Sequence, residues 1–288
     1  MKELFYTLRF RQWTKNLFIF LPLVFGKKMF VFPANLNTIT AFFLFCFSSS
    51  AVYLINDILD LKEDRLHPTK RLRPLAAGKV TLAQAKLTAC ILGISSIGFS
   101  LLLNLEFGLI VTVYFCLNFL YSKIFKNLVI IDVFCLAGFF LLRIIIGGVV
   151  ADVALSHWII ILTMLLALFL GFNKRRQELK LIQKKAYYHR RVLSKYSFYF
   201  IDQMIAVITA SIVVTYMLYT VDAGTAALFK TKNLIYSVPF VYYGIFRYLY
   251  LIHKVVDDGD PTHILFSDKV MQLNLVLWII ACIVTIYF

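Results

Sequence analysis

AVYLINDILDLKEDRLHPTKRLRPLAAG, residues Ala51 to Gly78, passes without a break from an apolar run into the densest charge in the chain. The apolar stretch begins back at Thr38, so Asn56 and Asp57 stand at the end of a membrane helix, where ionisable groups are costly and usually functional. Asp57, Asp60 and Asp64 recur at i, i+3 and i+7, which places three carboxylates along one helical face over two turns. Such a ridge repels itself unless a cation sits on it. Hard divalent cations take oxygen ligands, and Mg2+ uses one or two carboxylates, several waters and the oxygens of a bound phosphate. Arg65, His67, Lys70, Arg71 and Arg73 follow at once, so cation-binding acids precede anion-binding bases. That order points to a magnesium-chelated diphosphate. A solvated turn is the plainer account of mixed charge between helices, and the position of Asn56 and Asp57 at the end of a span weighs against it.

Outward from this stretch, the chain is too apolar for a soluble domain of 288 residues: 61% of it is hydrophobic. It reads as an integral membrane protein, an all-α bundle with residues 1–288 forming a single transmembrane domain. Runs near the roughly 20 residues needed to span a bilayer fall at Trp13 to Phe32, Thr38 to Ile55, Leu82 to Leu103, Phe107 to Tyr121, Leu128 to Val150, Leu155 to Asn173, Gln203 to Thr220, Leu234 to Leu251 and Val270 to Phe288. The expectation is therefore nine helices. No alternating pattern recurs to support a barrel. The net charge of +15 is distributed unevenly: with the runs placed across the membrane in turn, one side holds only Lys27, Lys28, Lys230 and Lys232. Positive-inside bias then puts the N-terminus in the cytoplasm and the C-terminus outside, with the charged chemistry facing the cytosol. Lys2, Glu3, Arg9 and Arg11 precede the first run without a small-residue cleavage site, which reads as a first helix and not a removed signal. Cys46, Cys90, Cys116, Cys135 and Cys282 lie singly in predicted spans and read as packing residues.

Other polar residues are candidates by position. In RFRQWTKN, Trp13 reads as an interfacial anchor, and Arg11, Lys15 and Asn16 lie at a depth that reaches a lipid phosphate. Ser48, Ser49, Ser50 and Ala51 permit close helix approach. His67-Pro68 breaks the helix after the acids. Tyr121 and Lys126 close a short fourth span; Lys126 is either a phosphate contact or a snorkelling flank. Asp132 and Arg143 both lie inside a span. They share a face but stand three turns apart, so each needs a partner elsewhere, a polar cavity or an anion. The sixth span ends in Lys174, Arg175, Arg176, Gln177 and Glu178; Lys180 to Arg191 reads as a surface helix on anionic headgroups. Asp202 is a weaker candidate, and the acidic Asp257–Asp260 segment reads as a solvated turn.

The motif NDxxDxxxD at Asn56, Asp57, Asp60 and Asp64 resembles the first aspartate motif of the UbiA superfamily of membrane prenyltransferases. Within it the chain is most similar to the decaprenyl-phosphate phosphoribosyltransferase branch, through RQWTKNLFIF (11–20), DRLHPTKRLRPLAAG (64–78), YSKIFKNLVIIDV (121–133), GFFLLRIIIGG (138–148) and KRRQEL (174–179). The resemblance implies nine helices and a cytosolic catalytic mouth. A typical member carries a second acidic cluster after the sixth helix, whereas this chain offers Lys174, Arg175 and Arg176 with Glu178 the sole acid. A basic wall opposite an acidic one suits phosphoribosyl pyrophosphate with a polyprenyl phosphate. On that reading Asp57, Asp60 and Asp64 hold Mg2+ and are catalytic, and Asn56, Lys15, Lys70, Arg73, Tyr121, Lys126, Arg143, Lys174, Arg175, Arg176 and Glu178 bind substrate. The product would feed pentose into cell-envelope polysaccharide. Membrane lipids surround the bundle, no nucleic acid is involved, and oligomeric state stays open. Ordinary prenyl transfer to an aromatic or tetrapyrrole acceptor, and a lipid-phosphate transporter, are the competing readings.

Overall fold

The computed structural model describes residues 2–66, 70–184, 192–254 and 267–287. The His67-Pro68 break, residues 185–191 of the expected surface helix, and the Asp257–Asp260 turn lie outside the described residues. Helices account for all the regular structure among the described residues: α1 (Lys2–Thr7), α2 (Leu21–Phe25), α3 (Ala34–Leu59), α4 (Leu61–Leu66), α5 (Leu82–Leu103), α6 (Leu105–Lys123), α7 (Ile131–Ala151), α8 (His157–Lys184), α9 (Phe198–Val221), α10 (Ala223–Phe229), α11 (Val238–Lys254) and α12 (Lys269–Tyr287).

Seven of these, α3, α5, α6, α7, α8, α9 and α12, are long and apolar enough to cross a membrane, and the chain is a multi-pass membrane protein. Two of the nine expected spans take another form. The first becomes a 3-10 segment, Phe10–Phe20, running into the short α2. Pro22 stands in the first turn of α2, where its missing N–H is tolerated, and Leu21 N–H at the junction bonds to Phe18 O, three residues back. The eighth opens with the 3-10 turn Asn233–Ser237 and continues without a gap into the 17 residues of α11. In α5 and α12 only 22% of the apolar window is buried, as lipid-facing helices require.

The chain folds as two compact units, Met1–Lys126 with Leu142–Leu155, and Asn127–Leu141 with Ser156–Phe288. In the first, α3 packs on α5 and α5 on α6. Thr81 and Gln84 close a reciprocal capping box at the start of α5, and Gly78 at φ +73 turns the chain into it. Ser48, Ser49, Ser50 and Ala51 are buried on α3, as their small size predicts. Gly147 allows the 3-10 segment to pass, since a Cβ there would stand 2.2 Å from Ile19 O. In the second unit α8 packs on α9 and α11 on α12. Gly171 brings α8 against the start of α7, where a Cβ would meet Val133 Cγ1 at 2.6 Å. The five cysteines are free.

Candidate active site

In the first unit the acids sit where α3 ends. The helix stops at Leu59, with Asp60 as its C-cap, and α4 restarts at Leu61. The single helical ridge expected from the spacing is therefore bent at its middle member, and the three carboxylates do not share one cation. Asp57 (5% exposed) and Asp64 (2% exposed) are bridged by Arg73, whose Nη1 lies 3.0 Å from Asp57 Oδ1 and 2.5 Å from Asp64 Oδ2. Asp60 faces Lys126, with Nζ donating at 2.9 Å. Lys70 Nζ is 3.9 Å from Asp64. Asn56 accepts a hydrogen bond from Ser122 Oγ at 2.6 Å. Burial holds the Asp64 carboxyl above the ordinary carboxylate range, with Arg73 and Lys70 pulling the other way.

Arg9, read in the sequence only as part of the basic flank, also pairs with Asp57. It stands in the left-handed region at φ 52. The segment carrying it is tied to α3: Trp13 Nε1 donates to Ser50 Oγ at 3.0 Å, and Ser50 Oγ donates to Leu8 O at 2.7 Å. Proximity to the RQWTKN block was the one sequence signal for Arg9. Trp13 is thereby a tether as well as an aromatic anchor. Lys15 is half-buried on the 3-10 segment and Tyr121 is buried on α6. Arg143 finds no route along its own helix to Asp132, as the three-turn separation requires. Its Nε donates to Asn16 Oδ1 at 2.9 Å, and its guanidinium lies 5.0 Å from the Phe45 ring and 5.7 Å from the Tyr114 ring. A mostly apolar pocket of about 300 Å³, lined by Val52, Ile55, Phe115 and Phe119 among others, begins at Asn56.

Among the described residues no three His, Cys, Asp or Glu side chains converge as a self-contained metal cage. The donor set still fits magnesium that arrives with a diphosphate. Asp57 and Asp64 both reach one guanidinium nitrogen, so they are two nearby carboxylates that would hold the metal, oxygen donors of the kind Mg2+ takes.

In the second unit α8 does not end at Asn173 but continues through the basic block to Lys184. Helical continuation sends neighbours to different faces. Arg175 turns inward and is 0% exposed; its Nε pairs with Asp132 Oδ2 at 2.6 Å, both side chains being fully buried, and its Nη1 pairs with Glu178. Tyr196 completes this group. Its hydroxyl donates to Asp132 Oδ1 at 2.8 Å and accepts from Ile130 N at 2.6 Å. Ile130 holds φ 69, a strained value for a β-branched residue, and that turn aims its N–H at the hydroxyl. Burial pushes the Tyr196 phenol well above its usual range. Arg176 instead pairs with Asp202, Nε to Oδ1 at 2.5 Å and Nη2 to Oδ2 at 3.3 Å, and Lys174 is half-buried. Nothing in the sequence marked Tyr196, because its role depends on a contact between segments 64 residues apart.

Comparison with known proteins identifies the family and the fold. Residues 18–267 match the model of the UbiA prenyltransferase family. The chain is 31% identical over 97% of its length to a decaprenyl-phosphate phosphoribosyltransferase of Corynebacterium glutamicum, covering 85% of that protein. It is 31% identical over 96% of its length to the protein of the same name in Mycolicibacterium smegmatis, covering 90% of it. A solved structure of a UbiA homolog from Archaeoglobus fulgidus bound to GPP and Mg2+ superposes with a TM-score of 0.70 at 18% identity, covering 99% of this chain and 100% of that one. Helices, acid motif and full-length similarity converge: the chain is a transferase that belongs to the UbiA prenyltransferase family.

Proposed function

We propose that this enzyme transfers the 5-phosphoribosyl group of phosphoribosyl pyrophosphate to a polyprenyl phosphate, releasing pyrophosphate in an Mg2+-dependent reaction. One observation carries the reading: Asp57, Asp60 and Asp64 gather at the end of α3 with Arg73, Lys70 and Lys126 resting on them, so metal-binding carboxylates and phosphate-binding bases stand in one cluster. A donor with a diphosphate and a further bare phosphate, used with a lipid phosphate, calls for that balance of charge. The names of the two relatives support it.

Asp57 and Asp64, with Asp60 and Asn56 beside them, hold the metal-bound diphosphate. Arg73, Lys70 and Lys126, which rest on these carboxylates, exchange onto phosphoryl oxygens as the substrate enters. Magnesium, when bound, neutralises the charge that develops on the departing pyrophosphate. An oxygen of the lipid phosphate forms the bond to C1 as the bond from C1 to the pyrophosphate oxygen breaks, the electron pair leaving with pyrophosphate. The second pKa of a phosphate monoester is about 6, so the nucleophile is already ionised and no general base is needed. Attack opposite the leaving group inverts C1. Arg143 acts from behind, fixing Asn16 and the segment that carries Lys15. The apolar pocket that begins at Asn56 offers the first isoprene units a surface, each buried CH₂ contributing about 0.8 kcal/mol. The charge bias places the site on the cytosolic side, and the ribosylated lipid would supply pentose to envelope polysaccharide.

The test supplies purified protein with polyprenyl phosphate, Mg2+ and either phosphoribosyl pyrophosphate or a prenyl diphosphate, with chelator as control. Chelator-sensitive ribosyl-lipid formation from the first donor is expected. Pyrophosphate release from the prenyl diphosphate alone would install the second reading, transfer of a prenyl group from its diphosphate.

A further inference from the structure

Arg9 touches the acidic cluster of the first unit and takes no part in the mechanism above. Its Nη2 donates to Asp57 Oδ1, the same oxygen that receives Arg73 Nη1 at 3.0 Å, so two guanidinium groups from separate segments converge on one carboxylate oxygen. The backbone is arranged for this contact. Leu8 O and Trp13 Nε1, on either side of Arg9, both bond to Ser50 Oγ. Between them Arg9 holds φ 52 and ψ 51, a left-handed conformation that a residue with a Cβ rarely adopts. Tyr53, one turn before Asp57 on α3, has its ring centroid 5.3 Å from the guanidinium. Leu4 and the Glu3–Lys79 pair hold the rest of α1 against the same layer.

Among the described residues, Arg9, Lys70, Arg73 and Lys126 place four cationic heads on the three carboxylates Asp57, Asp60 and Asp64. The cluster is positive before any ligand arrives. A free divalent cation meets that surplus with nothing to offset it. To reach Asp57 it has to displace two guanidinium groups and then stand beside them, and Mg2+ also gives up its water reluctantly. A cation chelated by a diphosphate arrives instead as a net anion, and its phosphoryl oxygens give the displaced guanidinium groups new acceptors. Both arginines on the buried Asp57 are themselves partly exposed, so they can leave it by side-chain movement alone.

We infer that Arg9, with Arg73, closes Asp57 to a free divalent cation, so that the cluster accepts the metal only as its diphosphate complex. The inference rests on the diphosphate reading of this site and adds a choice between two forms of one metal, and hence an order of binding. It holds for either donor considered above, since both carry a diphosphate.

The experiment is equilibrium dialysis of full-length protein in detergent against Mn2+, which takes the same oxygen ligands as Mg2+, alone or with inorganic pyrophosphate. Asp57→Asn supplies the baseline for metal held elsewhere in the chain. Above that baseline, wild type should hold Mn2+ alone at least about tenfold more weakly than Mn2+ with pyrophosphate, and Arg9→Gln should tighten Mn2+ alone about tenfold, the worth of one charge-assisted hydrogen bond. The affinity of Arg9→Gln for the pyrophosphate complex should stay level or fall. Arg73→Gln, on the same oxygen, should shift in the same directions and serves if Arg9→Gln does not fold. Lys79→Gln, which frees α1 from an exposed pair, should leave both affinities unchanged; a rise there equal to that in Arg9→Gln would assign the effect to a loosened α1 and overturn the role of Arg9. Equal affinities in wild type, no tightening toward Mn2+ alone in Arg9→Gln, or an equal rise with and without pyrophosphate would also overturn it. The donor assay stands apart, because this dialysis contains no donor. The expected shifts without ribosyl transfer sink the donor and keep the selection; ribosyl transfer with Arg9→Gln unshifted does the reverse.

Discussion

Each unit of this protein sets arginine against aspartate, and the two arrangements differ in how open they are. Around Asp57 and Asp64 the partners are Arg9, Arg73 and Lys70, whose side chains are 24%, 29% and 45% exposed. These are long side chains with their heads near water, and they can move off the carboxylates when a better-placed cation arrives. Around Asp132 the partner is Arg175, with both side chains at 0%, joined by Tyr196 and a strained turn at Ile130. No rearrangement of that group avoids stranding a buried charge. The same two residue types thus make a partly solvent-accessible cluster in one place and a fully buried pair in the other.

The strongest way to break this contrast is chemical. Asp57→Asn and Asp60→Asn should reduce transfer to background in the donor assay while the thermal midpoint in detergent holds, since their present partners are partly exposed. Near-normal turnover in either variant would remove the acids from the site. The next test applies one substitution to both regions. Arg175→Gln should cost roughly 3–5 kcal/mol of stability, because it leaves Asp132 buried and uncompensated, whereas Arg73→Gln should cost less, about 1–3 kcal/mol, because Asp57 keeps Arg9 and Asp64 keeps Lys70. Comparable losses, read by thermal or chemical unfolding, would erase the distinction between buried pair and accessible cluster. The smallest effect concerns a third, partly exposed pair. Arg247 donates to Asp268 at 2.9 and 3.3 Å, and Met271 N donates to it at 2.8 Å. These hydrogen bonds, that of Arg247 first, hold the Asp268 carboxyl below its ordinary range. A carboxyl depressed in the folded state contributes stability above its unfolded value, about 3.9, and loses it as pH falls through the folded value. The thermal midpoint of wild type should therefore drop on acidification below about pH 4, and Asp268→Asn should flatten that limb by about 2 °C or less.

The composition and the motif at Asn56 to Asp64 were enough to establish a membrane-spanning helical bundle with an acidic site at a span end, because both depend on local properties: the length of apolar runs and the spacing of carboxylates along a helix. The same local reasoning placed seven spans close to where they lie and marked Asp132 and Arg143 as needing partners. It did not foresee that the first expected span is a 3-10 segment followed by a short helix, or that the eighth opens with a 3-10 turn before α11. What the partners were, only tertiary structure decided. The bend at Asp60 sends Lys126 to one acid and Arg73 to the other two. The continuation of α8 past Asn173 turns Arg175 inward to Asp132 and leaves Asn173 and Gln177 on the other side. Arg9 and Tyr196 reach their partners across 48 and 64 residues of chain. Spacing along one helix fixes which side chains share a face, but the partner of a buried charge is set by whichever helix packs there, and that depends on small residues such as Gly147 and Gly171 allowing two backbones to meet.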